Sequence, residues 1–310
     1  MKVKAFCDNQ VKAIRETVGD GAAISALSGG VDSSACTVLA HRALGNRLKV
    51  IFIDDGLMRE GEPAEVKAVF AKLGIKVEVV EAAGEFFAAL AGKTDPEEKR
   101  KAFRQTFYSV FGREVLGSGA RFLVQGTIKA DIIETKGGVK TQHNILEQIG
   151  IDPEMGFGFK VVEPLKELFK PEVRVVAKAV GLPERIFARM PFPGPGLMTR
   201  VLGEATPERV AVVRKATRIV EDGIRKLKPF QAFAVLLADK GTGIEGGARK
   251  FGDIIIIRSV ESRDAMTAKA TPVPWDVLMM MSRRMVKEIP TVVRVAYELT
   301  PKPPATIEYI

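Results

Sequence analysis

The chain has 310 residues, of which 46% are hydrophobic and 27% charged, and its formal net charge is +9. This length and composition are typical of a folded globular protein with about two domains. Its apolar runs are of strand length, so no segment is predicted to span a membrane, and the polar residues soon after Phe6 predict no signal peptide. The two cysteines, Cys7 and Cys36, show no disulfide-framework or metal-ligand spacing, which favours a cytoplasmic protein. The basic residues are dispersed, so a polyanionic small substrate explains their excess without a nucleic-acid partner.

The segment SGGVDSS, residues 28–34, lies between a predicted strand and a predicted helix. Ala23–Leu27 is apolar and predicts a short buried strand, whereas residues 34–43 are helix formers without Gly or Pro. Unpaired backbone N–H groups and the helix dipole favour an anion at such a helix start. Gly29 and Gly30 allow the backbone to approach a phosphate closely. A capped helix after a tight turn is the alternative interpretation, but the complete strand–turn–helix context favours a phosphate site.

Asp32 is an unusual residue for a loop that binds only anions. A carboxylate beside phosphates is typical of a divalent cation bound between the two. The neighbouring serines at positions 28, 33 and 34 add hydroxyl donors. The loop therefore predicts a phosphate site with Asp32 as a metal ligand.

The first half of the chain alternates strand-like and helix-like segments. Strands are predicted at 48–53, 76–80 and 121–125, and helices at 62–73 and 96–116. This alternation predicts an α/β fold with a Rossmann-like parallel sheet. Ligands bind beyond the carboxyl ends of strands in such sheets, so the functional loops are those after Leu27, Ile53 and Gln125.

Residues 137–153 are polar, punctuated by glycine and without apolar periodicity. Such a stretch is typical of a lid or of disorder, and the presence of His143 favours a lid, placed at about 135–158.

The composition changes near residue 190, where the segment MPFPGPGL covers residues 190–197. It is either a stiff connector or a rigid wall of a ligand pocket. Beyond it we predict helices at 207–227 and 275–287, strands at 231–237, 253–259 and 291–299, and an edge strand at 306–310. The chain therefore divides into an α/β domain, residues 1–190, and a smaller α+β domain without alternating βαβ units, residues 191–310.

SGGVDSS resembles the pyrophosphate loop of the N-type ATP pyrophosphatases, and nearly the whole chain resembles the ATP-pyrophosphatase subunit of the GMP synthetases, in their archaeal two-subunit form. The matching strings are SGGVDSS (28–34), DDGLMR (54–59), QGT with DIIE (125–127 and 131–134), KTQHN (140–144), VEPLKELFKPEVR (162–174), GLPE (181–184), PFPGPGL (191–197), QAFAVLL (231–237), SRDAMTA (262–268) and KPPATIEY (302–309).

The resemblance implies the adenine-nucleotide α-hydrolase type of Rossmann-like fold, followed by a dimerisation domain. It also implies a two-step amination. ATP adenylates the C2 oxygen of xanthosine monophosphate (XMP) with loss of pyrophosphate, and ammonia then displaces AMP to give GMP. Mg²⁺ is the implied cofactor and ATP the co-substrate.

Site residues are carried over by motif position. The implied ATP and pyrophosphate residues are Ser28, Gly29, Gly30, Val31, Asp32, Ser33, Ser34, Asp54, Gly56, Gln125, Gly126 and Thr127, with Asp32 near Mg²⁺. The implied catalytic residues of the lid and the phosphate-facing side are Asp131, Glu134, Lys140, His143, Asn144 and Lys166. The implied XMP residues are Arg189, Pro191, Gly194, Gly196, Gln231, Lys302 and Glu308.

The resemblance also implies the partners. Neither cysteine lies in a glycine-rich nucleophile elbow, so ammonia is expected from a separate glutamine amidotransferase subunit. The second domain is expected to form a homodimer, and neither nucleic acid nor a membrane is an expected partner.

Some positions depart from the family pattern. Gln142 stands in place of a lid histidine, Ala130 in place of a proline and Asp55 in place of Thr or Asn. Gln cannot titrate near neutral pH but can hydrogen-bond a phosphate. Two alternatives follow: a related pyrophosphatase acting on another nucleotide or on tRNA, and an inactive nucleotide-sensing subunit. Retention of Asp32, Asp131, Glu134 and Lys166 favours the enzyme.

Overall fold

A computed structural model describes residues 2–136, 160–263 and 265–310. The chain forms two compact units. The first unit comprises Met1–Asp55, Gly61–Ala82 and Arg104–Arg189, and the second comprises Gly56–Glu60, Ala83–Phe103 and Met190–Ile310. The functional division at residue 190, with a lid at about 135–158, stays a prediction.

The elements are numbered in chain order. The strands are β1 Ala23–Leu27, β2 Leu48–Asp54, β3 Glu78–Glu81, β4 Phe122–Val124, β5 Lys160–Val162, β6 Gln231–Glu245, β7 Ala248–Glu261, β8 Lys269–Ala270 and β9 Val292–Tyr297. The helices are α1 Val3–Val18, α2 Val31–Leu44, α3 Glu62–Lys72, α4 Ala83–Leu90, α5 Pro96–Leu116, α6 Lys129–Lys136, α7 Lys170–Ala179, α8 Glu184–Phe187, α9 Pro207–Ile224 and α10 Trp275–Glu288, with 3-10 turns at Gly45–Arg47 and Gly196–Arg200.

The first unit is built on a parallel sheet with the strand order β3-β2-β1-β4-β5. Ala23 of β1 pairs with Leu48 of β2 on one side and with Phe122 of β4 on the other. Helices α1, α2 and α7 pack against one another. The predicted α/β, Rossmann-like class is confirmed. The strand order reverses direction between β1 and β4, which is where open α/β sheets bind their ligands.

The second unit contains a mostly antiparallel sheet. β6 and β7 form a long hairpin that turns at Gly246 and Gly247, both with positive φ, and β8 continues the sheet antiparallel to β7. β9 pairs with β7 in parallel after the crossover helix α10, so the unit holds one βαβ connection that the sequence did not suggest. Helix α9 packs on β6, and Ile307 of the C-terminal tail joins the core with Phe233 and Val235.

Three expectations differ from the structure in detail. Helix α2 begins at Val31, so the second half of SGGVDSS is its first turn. β6 and β7 continue through residues 238–252, which the sequence did not predict as strand. Glycine and charged residues are frequent in this segment, and pairing between the two strands, rather than an apolar pattern, stabilises it. The predicted edge strand at 306–310 is wrong: these residues form no strand, and Arg258 instead donates to the carbonyls of Thr300 and Thr306 at 2.7 and 2.9 Å.

Among the helices of the described residues, none combines the length and hydropathy that crossing a lipid bilayer demands.

Candidate functional site

The predicted phosphate loop connects β1 to the N-terminus of α2 in the first unit. Gly29 has φ +72°, and a Cβ atom there would lie 2.5 Å from Oε1 of the buried Glu62. Only glycine fits this backbone and this neighbour. Beneath the loop, the hydroxyls of Ser25 and Thr37 share a buried hydrogen bond of 2.7 Å, which ties β1 to α2. The loop is therefore fixed at both ends, with the first N–H groups of α2 at its tip.

The serines of the loop have different environments. The Ser28 and Ser33 hydroxyls lie 2.9 Å apart and share a hydrogen bond at the exposed side of the loop. The Ser34 hydroxyl is buried and has no hydrogen-bond partner among the described residues. A buried polar group without a partner is costly unless a ligand or water satisfies it.

The loop after β4 touches the loop after β1. A Cβ atom on Gly126 would lie 2.8 Å from the Ser33 backbone nitrogen and 3.0 Å from the Asp32 carbonyl carbon. Gln125 donates its backbone N–H to Val162 at 3.0 Å, and its carbonyl accepts from the buried Cys36 thiol at 3.4 Å. The Thr127 hydroxyl, like that of Ser34, is buried without a partner within the described part of the chain. The ends of β1 and β4 thus carry glycine backbone and, in Ser34 and Thr127, buried hydroxyls without a partner in the described chain.

Asp32 lies in the first turn of α2, where a helix favours negative charge. Its Oδ2 accepts from the Lys170 ammonium group at the start of α7, whereas its Oδ1 is buried and finds no partner among the residues described. A free carboxylate oxygen suits Mg²⁺, which is bound in proteins by one or two carboxylates and by substrate phosphates. The residues described contain no cluster of three or more metal-binding side chains.

Lys170 is a candidate site residue that sequence reasoning missed. The motif pattern points instead to Lys166, which lies exposed on the turn that follows β5. Lys170 is the first residue of α7, and its ammonium group contacts the phosphate loop through Asp32. The sequence feature that could have pointed to Lys170 is its position at the start of the helix after β5. β5 is the edge strand of the sheet that carries the predicted ligand loops.

The candidate catalytic residues are only partly visible. Asp131 is 8% exposed, and its Oδ2 accepts the backbone N–H of Ile128 at 2.9 Å, so its carboxylate caps the first turn of α6. Lys140, His143 and Asn144 lie outside the described residues, as does the predicted lid loop, and of Glu134 only the backbone in α6 is described.

Asp54 ends β2, and Gly56 follows it as part of the second unit. Gly56 has φ +72°, and a Cβ atom there would lie 2.7 Å from the Phe87 ring and 2.8 Å from the Ala83 Cβ. Arg214 of α9 donates to the carbonyls of Gly56 and Met58 and so fixes this turn.

Arg189 lies in the first unit, whereas the other candidate XMP residues lie in the second. Its guanidinium group donates to the carboxylates of Glu62, at 2.5 Å, and of Glu65. Glu65 also pairs with Arg185 at 3.0 Å. In this structure Arg189 therefore neutralises the buried Glu62 behind the phosphate loop.

In the second unit, three of the candidate XMP residues are joined. Gln231 donates through Nε2 to the Glu308 carboxylate at 2.5 Å and to the Pro191 carbonyl at 3.2 Å. Both partners are acceptors, which fixes the amide orientation with its nitrogen towards them.

The other candidates of this group are placed separately. Gly194 is exposed. Gly196 has φ +66° and approaches the Leu57 carbonyl so closely that a Cβ atom would lie 2.6 Å from it. Lys302 donates to the Ala265 carbonyl at 2.8 Å.

Known proteins match both parts of the chain. A model of the family described as "NAD synthase" matches residues 2–195, and one described as "GMP synthase C terminal domain" matches residues 217–309. The B subunit of the glutamine-hydrolysing GMP synthase of Archaeoglobus fulgidus is 52% identical over 310 residues, which cover 100% of both chains. The proteins of the same name from Thermococcus kodakarensis and Pyrococcus furiosus are 53% and 51% identical over 307 residues, covering 98% of this chain and 98% and 96% of their own.

Among solved structures, an NH3-dependent NAD synthetase from Campylobacter jejuni aligns with 60% of this chain and 77% of its own, with a TM-score of 0.47 and 18% sequence identity.

Proposed function

The chain belongs to the family of the glutamine-hydrolysing GMP synthase B subunits, which are ligases, and on this premise we propose that it makes GMP from XMP, ATP and ammonia. The reaction proceeds through adenylyl-XMP. The XMP C2 oxygen attacks the α-phosphorus of ATP and pyrophosphate leaves. Ammonia then attacks C2, AMP leaves with the oxygen, and one proton is released.

One observation supports the ATP site most strongly. The Asp32 carboxylate and the Ser34 and Thr127 hydroxyls each keep a buried oxygen without a partner in the described chain. Asp32 and Ser34 lie in the first turn of α2, and Thr127 lies in the loop after β4 that touches this turn. Phosphate oxygens and a cation satisfy such groups. The proposed ATP residues are those carried over by motif position in the segments 28–34, 54–56 and 125–127.

Asp32 is the proposed ligand of Mg²⁺. The cation supplies charge neutralisation of the phosphates when bound. The chain's own groups contribute the rest: backbone N–H groups at the start of α2 and the Lys170 ammonium group hold the leaving pyrophosphate. Lys166 and the residues 131, 134, 140, 143 and 144 stay proposed on motif position alone.

XMP is proposed to bind on the second unit. Gln231 and Glu308 are joined by a hydrogen bond and lie beside the rigid segment 191–197, and Lys302 provides a positive charge on the same tail. Arg189 stays a proposed XMP residue, although in this structure its guanidinium group pairs with Glu62 and Glu65.

Ammonia is proposed to come from a separate glutamine amidotransferase subunit, as the name of the relatives implies for those proteins. The second unit is the proposed homodimer contact, because it exposes large apolar side chains: Ile244, Phe251, Met266, Trp275, Val286 and Leu299. We place the enzyme in the cytoplasm, with no nucleic-acid or membrane partner.

The decisive experiment measures pyrophosphate release by the purified chain with ATP and Mg²⁺ in ammonium buffer, with and without XMP, followed by an assay for GMP. We expect release that depends on XMP, together with GMP. Release with another nucleotide or with tRNA, and none with XMP, would assign a different acceptor. Nucleotide binding without release, even after addition of the amidotransferase subunit, would indicate a sensor.

Asp32→Asn tests the role of the loop. The substitution is isosteric, so we expect the fold to persist while pyrophosphate release falls by about 100-fold or more. Asp20→Asn, at an exposed position beyond α1, is the matched control and keeps full activity. Turnover of the Asp32 variant at the wild-type rate would remove this residue from the site.

A further inference from the structure

Arg200 is a buried cation that the proposed function does not yet use. It ends the 3-10 turn Gly196–Arg200 and is only 1% exposed. Its guanidinium group makes a two-point ion pair with Glu308, with Nε 3.1 Å from Oε2 and Nη2 2.9 Å from Oε1. Such bidentate pairs fix orientation as well as distance.

The guanidinium group of Arg200 is also held by aromatic rings. Its guanidinium carbon lies 4.1 Å from the ring centroid of Phe233 in β6 and 4.9 Å from that of Phe192 in the segment 191–197. Arg59 lies over the same Phe192 ring at 4.2 Å. Aromatic contacts of this kind leave the arginine little freedom to reorient.

The carboxylate of Glu308 is therefore positioned by three groups, namely both nitrogen arms of Arg200 and the Gln231 amide. It is still 22% exposed, so it keeps accessible surface for a ligand. The ion pair also fixes the end of a tail that has no strand hydrogen bonds of its own over 303–310.

We propose that Arg200 is a positioning residue for the acceptor nucleotide: it sets the place and orientation of Glu308, and thereby the affinity for XMP, without touching XMP itself. This inference rests on the proposed function, and it assigns to the second unit a role in substrate affinity that is separate from the chemistry of adenylation.

Arg200→Lys is the direct test. Lysine keeps the charge but can neither bridge both carboxylate oxygens nor lie flat against two rings. We expect the KM for XMP to rise about tenfold or more, since small misplacements of binding groups carry such costs, while the KM for ATP and kcat stay close to wild type. Arg225→Lys, at an exposed arginine of the same unit, is the matched control and changes none of these values.

A double variant separates positioning from general stability. If Arg200 acts through Glu308, the combination Arg200→Lys with Glu308→Gln raises the KM for XMP no further than Glu308→Gln alone. Additive effects, or equal losses for XMP and ATP together with a lower melting temperature, would overturn the proposal and leave Arg200 a structural residue.

A readout independent of activity covers the remaining cases. Carboxypeptidase trimming reports release of the C-terminal tail, and we expect faster trimming in Arg200→Lys and Glu308→Gln than in Arg225→Lys. Should Arg200→Lys fail to fold, Arg200→Met with Glu308→Gln removes both charges of the ion pair together and serves in its place for the trimming measurement. If the wild type is inactive with XMP while the variants are still trimmed faster, XMP is not the acceptor, but Arg200 still holds Glu308 and the tail in place. Unchanged trimming would show that Arg200 does not hold the tail.

Discussion

Gly126 shows how little space separates the two loops of the proposed nucleotide site. A methyl group there would meet backbone atoms of Ser33 and Asp32 at 2.8 to 3.1 Å, and backbone cannot move aside as a flexible side chain can. The first turn of α2 and the loop after β4 must therefore separate to admit it.

We expect Gly126→Ala to lower the free energy of unfolding by about 1 to 3 kcal/mol and to reduce pyrophosphate release by about tenfold or more. Chemical denaturation and the pyrophosphate assay measure the two effects. Gly84→Ala is the control, because a Cβ atom at Gly84 meets nothing within 4 Å. Equal behaviour of the two variants would show that the loops do not need to touch.

The two lysines near the site illustrate what sequence could predict of single residues. Residues 28–34 could be proposed as a phosphate loop from the sequence, because such a loop depends on backbone geometry that Gly29 and Gly30 indicate; this assignment stays a prediction. The sequence could not distinguish Lys170, which begins α7, from Lys166, which lies four residues before it. Only the packing of α7 on α2 decides which ammonium group reaches Asp32. Arg200 was missed for the same reason, since its partner Glu308 lies 108 residues further along the chain.

At the level of elements, the fold was most predictable where burial and periodicity agree. β1, β2 and α5 were predicted within a residue of their observed ends, because β1 and β2 are largely apolar runs of strand length and α5 is bounded by Pro96 and Gly117. The hairpin arm 238–252 and the parallel pairing of β9 were not predictable, because long-range register decides them. The tail 306–310 alternates like a strand, yet Arg258 and Arg200 take the place of a neighbouring strand.

Lys99 of α5 holds the segment that follows Arg200 through hydrogen bonds to its backbone. Its side chain is fully buried, and its ammonium group donates to the carbonyls of Val201 and Gly203 at 2.7 and 2.9 Å. Burial, with a smaller contribution from Arg209, lowers the pKa of Lys99 to about 8 from its ordinary 10.5.

The sign of the pH effect follows from that shift. Between these two pKa values the folded protein has released the Lys99 proton and the unfolded chain still binds it, so the free energy of unfolding rises with pH. From pH 7 to 9.5 we expect the wild type to gain about 1 to 2 kcal/mol relative to Lys99→Met. Denaturation curves across this range provide the measurement, with the exposed Lys101→Met as control. Parallel profiles for the wild type and Lys99→Met would show that Lys99 stays protonated.

At the level of the whole molecule, the apolar surface of the second unit predicts self-association. Trp275 begins α10 and is 75% exposed, whereas Met281 and Met285 of the same helix are buried. Large apolar side chains on the exposed side of such a helix are typical of a contact with another chain.

We expect sedimentation equilibrium to find a dimer for the wild type and a dimer weakened about tenfold or more for Trp275→Glu, because a charge there must be desolvated on association. Leu116→Glu, at a side chain 78% exposed in the first unit, is the control and leaves association unchanged. A monomeric wild type at micromolar concentration would contradict the proposed homodimer.

The buried thiol of Cys36 can report how often the first unit opens. Both cysteines are buried, and burial raises the pKa of each thiol, that of Cys36 also through the nearby charges of Asp32 and Glu163. Reaction with a soluble disulfide reagent therefore requires transient opening of the first unit. Because Cys36 donates to the Gln125 carbonyl between the two ligand loops, ATP with Mg²⁺ is expected to slow its labelling several-fold, with Cys7 in α1 as the internal reference. The ratio of the Cys36 labelling rates with and without ATP then reports how strongly nucleotide binding suppresses opening of the two loops, a quantity that turnover alone does not reveal.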